Sequence, residues 1–302
     1  MALSKNTVGA ICMVLSMAGF TANDALVKAV TPLMNIGQIM LVRGVMTTAL
    51  VFLIARHFGA LRPLSALLQP MVLLRVGCEI AATIAYLTAL GEMPLANAAA
   101  ILQALPLAVT LGGALFLHEP VGWRRWSAIT IGFLGVLIII RPGPEGFTLA
   151  ALYVLFSMLC SAGRDLATRR VRETVPTLMV TLATAAATTL TGAVLIAPMG
   201  GWAPMSLDSA GHLVLAAVLV LIGHQCIILG MRNGEISFIA PFRYTSILWA
   251  ILLGFLVFGE TPDNWMLVGV AIVVGSGLYT FYRETKRRTA AVGQESAVSP
   301  PL

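Results

Sequence analysis

Ten stretches of about 20 residues run through this chain almost without charge, and that is the length an α-helix needs to cross the hydrocarbon of a bilayer. Of the 302 residues 58% are hydrophobic and 11% charged, with a mean hydropathy of +0.91. A soluble domain carries about 25% charged residues, so a soluble enzyme or a DNA-binding domain is excluded. The windows fall near 7–30, 35–56, 70–90, 94–117, 123–141, 147–168, 177–198, 209–231, 235–258 and 263–282. They are continuous rather than alternating in hydrophobicity, which argues for helices against barrel strands. Breaks between them are short, such as Arg141-Pro142-Gly143-Pro144 and Pro198-Met199-Gly200-Gly201. Ten spans use about 200 residues, so no sizeable soluble domain fits. The first window lacks a small-residue cleavage site and reads as a retained span rather than a signal peptide. The polar, basic segment 283–302 reads as a disordered cytoplasmic tail.

Basic residues fix the expected orientation. Lys5, Arg56, Arg62, Arg124, Arg125, Arg169, Arg170, Arg172, Arg232, Arg283, Lys286, Arg287 and Arg288 fall at one set of span ends, against Arg141 and Lys28 at the other. By the positive-inside rule both termini are cytoplasmic, as an even number of spans requires. The net charge of +6 then serves topology and contact with anionic lipid, and calls for no nucleic acid. Cys12, Cys78, Cys160 and Cys226 all lie inside apolar windows and form no C-x-x-C pair, which leaves buried thiols and neither disulfide nor zinc site. No cofactor is called for.

An internal repeat appears at one offset, 141 residues, in two separate places. Ser16-Met17, Asp24 and Lys28 map onto Ser157-Met158, Asp165 and Arg169; Gly113 and Glu119-Pro120 map onto Gly254 and Glu260-Thr261. Each half then holds five spans, residues 7–141 and 147–282. Because five is odd, the second half must enter the membrane from the opposite side. The fold expected is an all-α, ten-helix, 5+5 inverted-topology repeat, an architecture of secondary transporters with a midplane site between the halves. Small-residue spacings at Ala96 and Ala100, Gly112-Gly113, and Gly269, Gly275 and Gly277 suit close helix packing.

An ionisable side chain within the hydrocarbon costs about 2.5–3.5 kcal/mol on insertion scales, so each needs a partner or a wet cavity. Asp24, Arg43, Arg75, Glu79, Arg164, Asp165 and Arg243 make up that inventory. Arg75 and Glu79 are spaced i,i+4 on one helix face, as are Asp24 and Lys28, and such pairs neutralise locally. For Arg43, donation to an anionic or stacked substrate and a structural bridge to Asp24 or Glu79 stand level. Arg243 follows Pro241, which removes a backbone hydrogen bond at that depth, and a kinked polar segment at the midplane suits a site. Glu79 and Asp24 are the candidate proton carriers, since burial favours the neutral carboxyl and a nearby Arg the charged one. Asp165, flanked by Arg164 and Arg169, reads as a structural ion pair. Glu119 and Glu260 close equivalent helices at opposite faces and read as helix-end residues. Tyr86, Gln103, His224, Gln225, Tyr244 and Trp249 supply hydrogen-bonding and stacking groups for a planar substrate.

Five plus five spans, the Gly113 to Pro120 ending, and Trp123-Arg124-Arg125-Trp126 through Gly132-Phe133-Leu134-Gly135-Val136 to Arg141-Pro142 resemble the EamA-type drug/metabolite transporter superfamily over about residues 7–282. Ala22-Asn23-Asp24 with Lys28, Val42-Arg43-Gly44, and Ala240-Pro241-Phe242-Arg243-Tyr244 are similar to its branch of S-adenosylmethionine and riboflavin uptake carriers. The resemblance implies a metabolite carrier of the bacterial inner membrane and leans toward uptake. An exporter of amino acids or drugs is the alternative. A membrane enzyme is disfavoured, since no H-E-x-x-H or G-x-S-x-G pattern occurs; the lack of a Walker A loop argues against ATP drive. The substrate site expected comprises Asp24, Arg43, Glu79, Gln103, Arg243, Tyr244 and Trp249. The partners are a small-molecule substrate and membrane lipid, and a homodimer is admitted because one chain holds both halves.

Overall fold

The computed structural model describes residues 4–119, 121–141, 148–172, 175–233 and 235–298. Pro120 and the turn at 142–144, expected as breaks, lie outside that description, as do the side chains of Arg232, Lys286, Arg287 and Arg288.

Among the described residues, ten helices are long and apolar enough to cross a membrane: Lys5–Val30, Ile36–His57, Pro70–Leu90, Leu95–Phe116, Trp123–Ile140, Leu149–Arg169, Thr177–Ile196, Leu207–Met231, Ala240–Phe258 and Asn264–Arg283. Their starts carry local signals. Ser4, Asn35 and Asp263 accept from the amides of Thr7, Gln38 and Met266 at 3.1, 2.8 and 2.8 Å, satisfying donors that a helix N-terminus leaves orphaned. Pro70 opens the third span, where its missing N–H costs nothing. The last helix continues to Val298, past the point where an unstructured tail was expected; apolar windows mark where a helix is buried in lipid, and this helix outlasts its window.

Two spans are broken. The fourth divides at Gln103 and Ala104 into Leu95–Leu102 and Leu105–Phe116, because Pro106 cannot donate back into the preceding turn. The ninth opens with a tight 3₁₀ turn, Ala240–Tyr244, around Pro241 before Thr245–Phe258. The two breaks meet: Gln103 Nε2 donates to the Ser246 hydroxyl and, at 3.4 Å, to the Arg243 carbonyl.

Helices pack by long antiparallel contacts. The first lies along the eighth and ninth, the second along the seventh and eighth, the third along the sixth and seventh, the fourth against the sixth and ninth, and the fifth along the tenth. Replacing each span by the one five places away leaves this set of pairs unchanged. The same exchange holds at atomic detail. Ser16 Oγ donates to Gly223 O at 2.7 Å and Ser157 Oγ to Ala82 O at 2.8 Å, each atom matched 141 residues on. Thr48 and Thr189, also 141 apart, pair hydroxyl to hydroxyl at 3.1 Å.

In lipid, apolar burial gives little drive for helix association, so close approach of small residues does most of the joining. Ala89, Ala98, Ala100 and Ala104 are fully buried, and a methyl group on Gly37 would meet the Gly192 carbonyl oxygen at 2.8 Å. Gly275, expected to pack, has open space beside it. The main core runs through Val27, Val30, Ile39, Leu87, Leu90, Leu95 and Ile101, which lie at one end of the bundle. The face beside them carries Lys28 and Arg141, and each is neutralised. Lys28 Nζ meets Glu260 Oε1 at 2.6 Å and Arg141 pairs with Asp263.

Candidate functional site

The opposite half of the bundle is hollow. A cavity of about 490 Å³ is lined from the second, third, sixth, seventh and eighth spans, with three guanidinium groups, Arg43, Arg75 and Arg164, and two carboxylates, Glu79 and Asp165. Hydroxyls line it as well: Thr47, Thr83, Thr168, Thr181, Thr184 and Thr188. The seventh span contributes Thr181, Thr184 and Thr188, spaced i, i+3, i+7 and therefore on one helix face. That stripe was readable in the sequence and escaped the search for ionisable groups. His224 lines the eighth-span wall; its Nδ1 donates to Val220 O at 2.8 Å and its ring meets Phe20 edge-on at 4.9 Å.

Ion pairing departs from the local pairs expected. Arg164 Nη1 meets Glu79 Oε2 at 2.9 Å, and its Nε and Nη2 both reach Asp165 Oδ1 at 2.8 Å. Glu79 therefore turns to the sixth span rather than to Arg75. Arg75 instead donates through Nε to Thr168 Oγ1 at 3.0 Å and through Nη1 to Thr184 Oγ1. Lys28, expected beside Asp24, turns to Glu260. Helical spacing only sets which groups share a face; here a neighbouring helix offers each group a partner of better geometry.

Arg43 lies in the first half of the second span, Ile36–His57. Its Nη1 donates to Asn23 Oδ1 at 3.1 Å, Asn23 Nδ2 donates to Asp24 Oδ1 at 2.8 Å, and the Tyr86 hydroxyl donates to Asp24 Oδ2 at 2.9 Å. The Arg43–Asp24 link thus runs through an amide, not through a direct bridge. Asp24 sits behind the cavity wall, with Arg43 in front of it.

Of the other residues expected at the site, Arg243 lines a second cavity of about 290 Å³ with Asp165 and Arg169, under the broken fourth span. Gln103 is spent in joining the two broken helices. Tyr244 is buried on Gly277, its hydroxyl without a partner among the described residues. Trp249 packs with Met13, Met17 and Ile239. The expected set therefore divides: Arg43 and Glu79 face the main cavity with Asp24 behind, and the ninth-span residues with Gln103 lie elsewhere. No group of three or more His, Cys, Asp and Glu side chains suited to a metal ion occurs among the described residues.

A ten-helix bundle with a charged interior cavity is the setting in which comparison with known proteins becomes informative. The EamA-like transporter family matches twice, over residues 7–141 and 148–282. The chain belongs to that family. Among curated relatives of this EamA protein, a riboflavin transporter of Rhizobium johnstonii is 27% identical over 73% of this chain and 71% of its own. A pseudopaline exporter of Pseudomonas aeruginosa is 26% identical over 88% and 93%. An S-adenosylmethionine uptake transporter of Rickettsia bellii is 22% identical over 94% and 97%. One solved crystal structure superimposes with a TM-score of 0.62 at 18% identity, covering 94% of this chain and 99% of that one, a likeness of fold. The protein is thus a multi-pass membrane transporter of the EamA type.

Proposed function

We propose that this EamA protein is a secondary carrier, built as an inverted repeat of five plus five spans, that moves a small polar or aromatic metabolite by alternating access. The observation that carries the reading is the main cavity, which reaches mid-bundle from the arginine-rich face while the other face is packed solid and latched by Lys28–Glu260. A cavity of about 490 Å³ is within the range of metabolite sites, about 300–1,000 Å³. The repeat is supported by the two family matches and by the pairs Ser16–Gly223 and Ser157–Ala82. With the arginine-rich face cytoplasmic, the cavity faces inward, and both termini lie on that side of a bacterial inner membrane.

Arg43 and Glu79 are the expected residues we keep in direct reach of cargo, with Asp24 orienting Arg43 through Asn23. Gln103, Arg243, Tyr244 and Trp249 act from the second cavity and the broken helices, where rocking of one half against the other is absorbed. We read the chain as a carrier rather than an enzyme, because the cavity's carboxylates are tied to Arg164 in place of a nucleophile or substrate proton. Riboflavin and S-adenosylmethionine are the cargoes to try first, by the names of the relatives; the pseudopaline exporter favours outward movement as the second reading.

The test is uptake of labelled S-adenosylmethionine, riboflavin and a panel of amino acids into proteoliposomes, with and without a pH gradient. Ala185 lines the cavity beside Thr184, and saturable uptake of one compound, lost on plugging the cavity with Ala185→Trp, is the expected outcome. Uptake that survives the plug would remove the cavity from the pathway.

A further inference from the structure

We infer that the cargo of the main cavity carries a carboxylate and that Arg75 receives it. The inference rests on the cavity being the cargo site and goes further by naming the cargo's chemistry. It comes from accounting for each charge at the cavity wall. Arg164 holds both wall carboxylates, Glu79 at 2.9 Å and Asp165 at 2.8 Å. Arg43 is compensated from behind, through Asn23 to Asp24. Arg75 is the wall guanidinium that no carboxylate of the described residues touches, directly or through an amide, since its partners are the uncharged hydroxyls of Thr168 and Thr184.

Those two hydroxyls do more than fill space. Thr168 Oγ1 donates its own proton to Arg164 O at 2.7 Å, and Thr184 Oγ1 donates to Val180 O at 2.8 Å. Each therefore has only lone pairs to offer Arg75, and together they hold Nε and one Nη1 hydrogen from the sixth and seventh spans. A guanidinium has five N–H donors in a rigid fork. Three remain, two on Nη2 and one on Nη1, along the edge that matches the two oxygens of a carboxylate. Uncharged hydroxyls leave this fork half filled, and an entering carboxylate completes it with the bidentate, charge-assisted pair that its present partners do not supply. Arg75 is thus held ready on its far side and open on the near one.

The experiment measures ligand-induced thermal stabilisation of the purified full chain in nanodiscs, with acid and amide pairs. The probes are phenylalanine and phenylalaninamide, nicotinate and nicotinamide, and S-adenosylmethionine against riboflavin, which lacks a carboxylate. Expected is binding of at least one acid, at least tenfold tighter than its amide. Arg75→Gln should bring that ratio near unity and Arg75→Lys should retain part of it, each read against the variant's own ligand-free melting temperature, so that a loss of stability alone does not move the result. Equal binding of acid and amide, a ratio unchanged in Arg75→Gln, no binding by any acid, or binding by riboflavin alone overturns the inference. Failure here leaves the carrier reading standing if Ala185→Trp still abolishes uptake; persistence of uptake in that plugged variant sinks the carrier site itself.

Discussion

Lys28–Glu260 and Arg169–Glu119 are the same ion pair written twice, 141 residues apart, yet they live in different surroundings. The first closes at 2.6 Å with side chains 11% and 19% exposed; the second stands at 3.3 Å with 53% and 44%. Around the first, Glu260 Oε2 also accepts the Leu95 amide at 2.8 Å, Lys28 Nζ donates to Met93 O at 2.5 Å, and Lys28 lies 5.1 Å from the Phe258 ring centroid. Around the second, Arg169 Nη1 is the one side-chain group among the described residues that reaches Glu119. The difference teaches that one motif is a latch where the bundle is sealed and a loose surface pair where it is open, because the worth of a charge pair is set by how much water is excluded from it.

The contrast can be broken most sharply at Glu260. Glu260→Ala leaves Lys28 buried without a counter-ion and the Leu95 N–H unmet, and should cost about 3–5 kcal/mol, read as equilibrium unfolding in detergent. Next comes the open half: Arg43→Ala should lower proteoliposome uptake at least tenfold, the order of one lost charge-assisted bond of about 1.5–3 kcal/mol, while the protein still inserts and folds. Arg243→Ala should also stop transport, and normal uptake in either variant would drop that residue from the pathway. Back toward packing, Gly277→Ala would drive a methyl into the Tyr244 hydroxyl and should cost about 1–3 kcal/mol of stability. Smallest is Glu119→Ala, expected below about 1 kcal/mol; if it destabilises as much as Glu260→Ala, the account of the two faces is wrong.

The 141-residue correspondence is uneven. Ser16, Thr48, Lys28 and Glu119 keep their counterparts at Ser157, Thr189, Arg169 and Glu260, whereas Arg43, Arg75 and Glu79 correspond to Thr184, Ala216 and Val220. Among the wall residues Thr47 and Thr188 also correspond, whereas Arg43, Arg75 and Glu79 have uncharged counterparts, so the correspondence holds for the frame and for part of the cavity wall.

Much of the fold was legible. Windows at 70–90 and 177–198 became Pro70–Leu90 and Thr177–Ile196, because lipid demands an unbroken apolar helix of set length whatever its neighbours are. The kink at Pro241 was legible for the same local reason, and the break before Pro106 had the same signal and was passed over. Partner choice was not legible. Arg75 and Glu79 share a helix face and form no ion pair, and Trp249 and Tyr244 turn to packing with Met17 and Gly277. By itself the sequence determined the number of spans, their length and the uneven charge of their ends, since each depends on one segment meeting the bilayer. Only the tertiary structure decided which of two corresponding ion pairs is sealed and which cavity arginine has no carboxylate partner, since both depend on what a distant helix brings within about 3 Å.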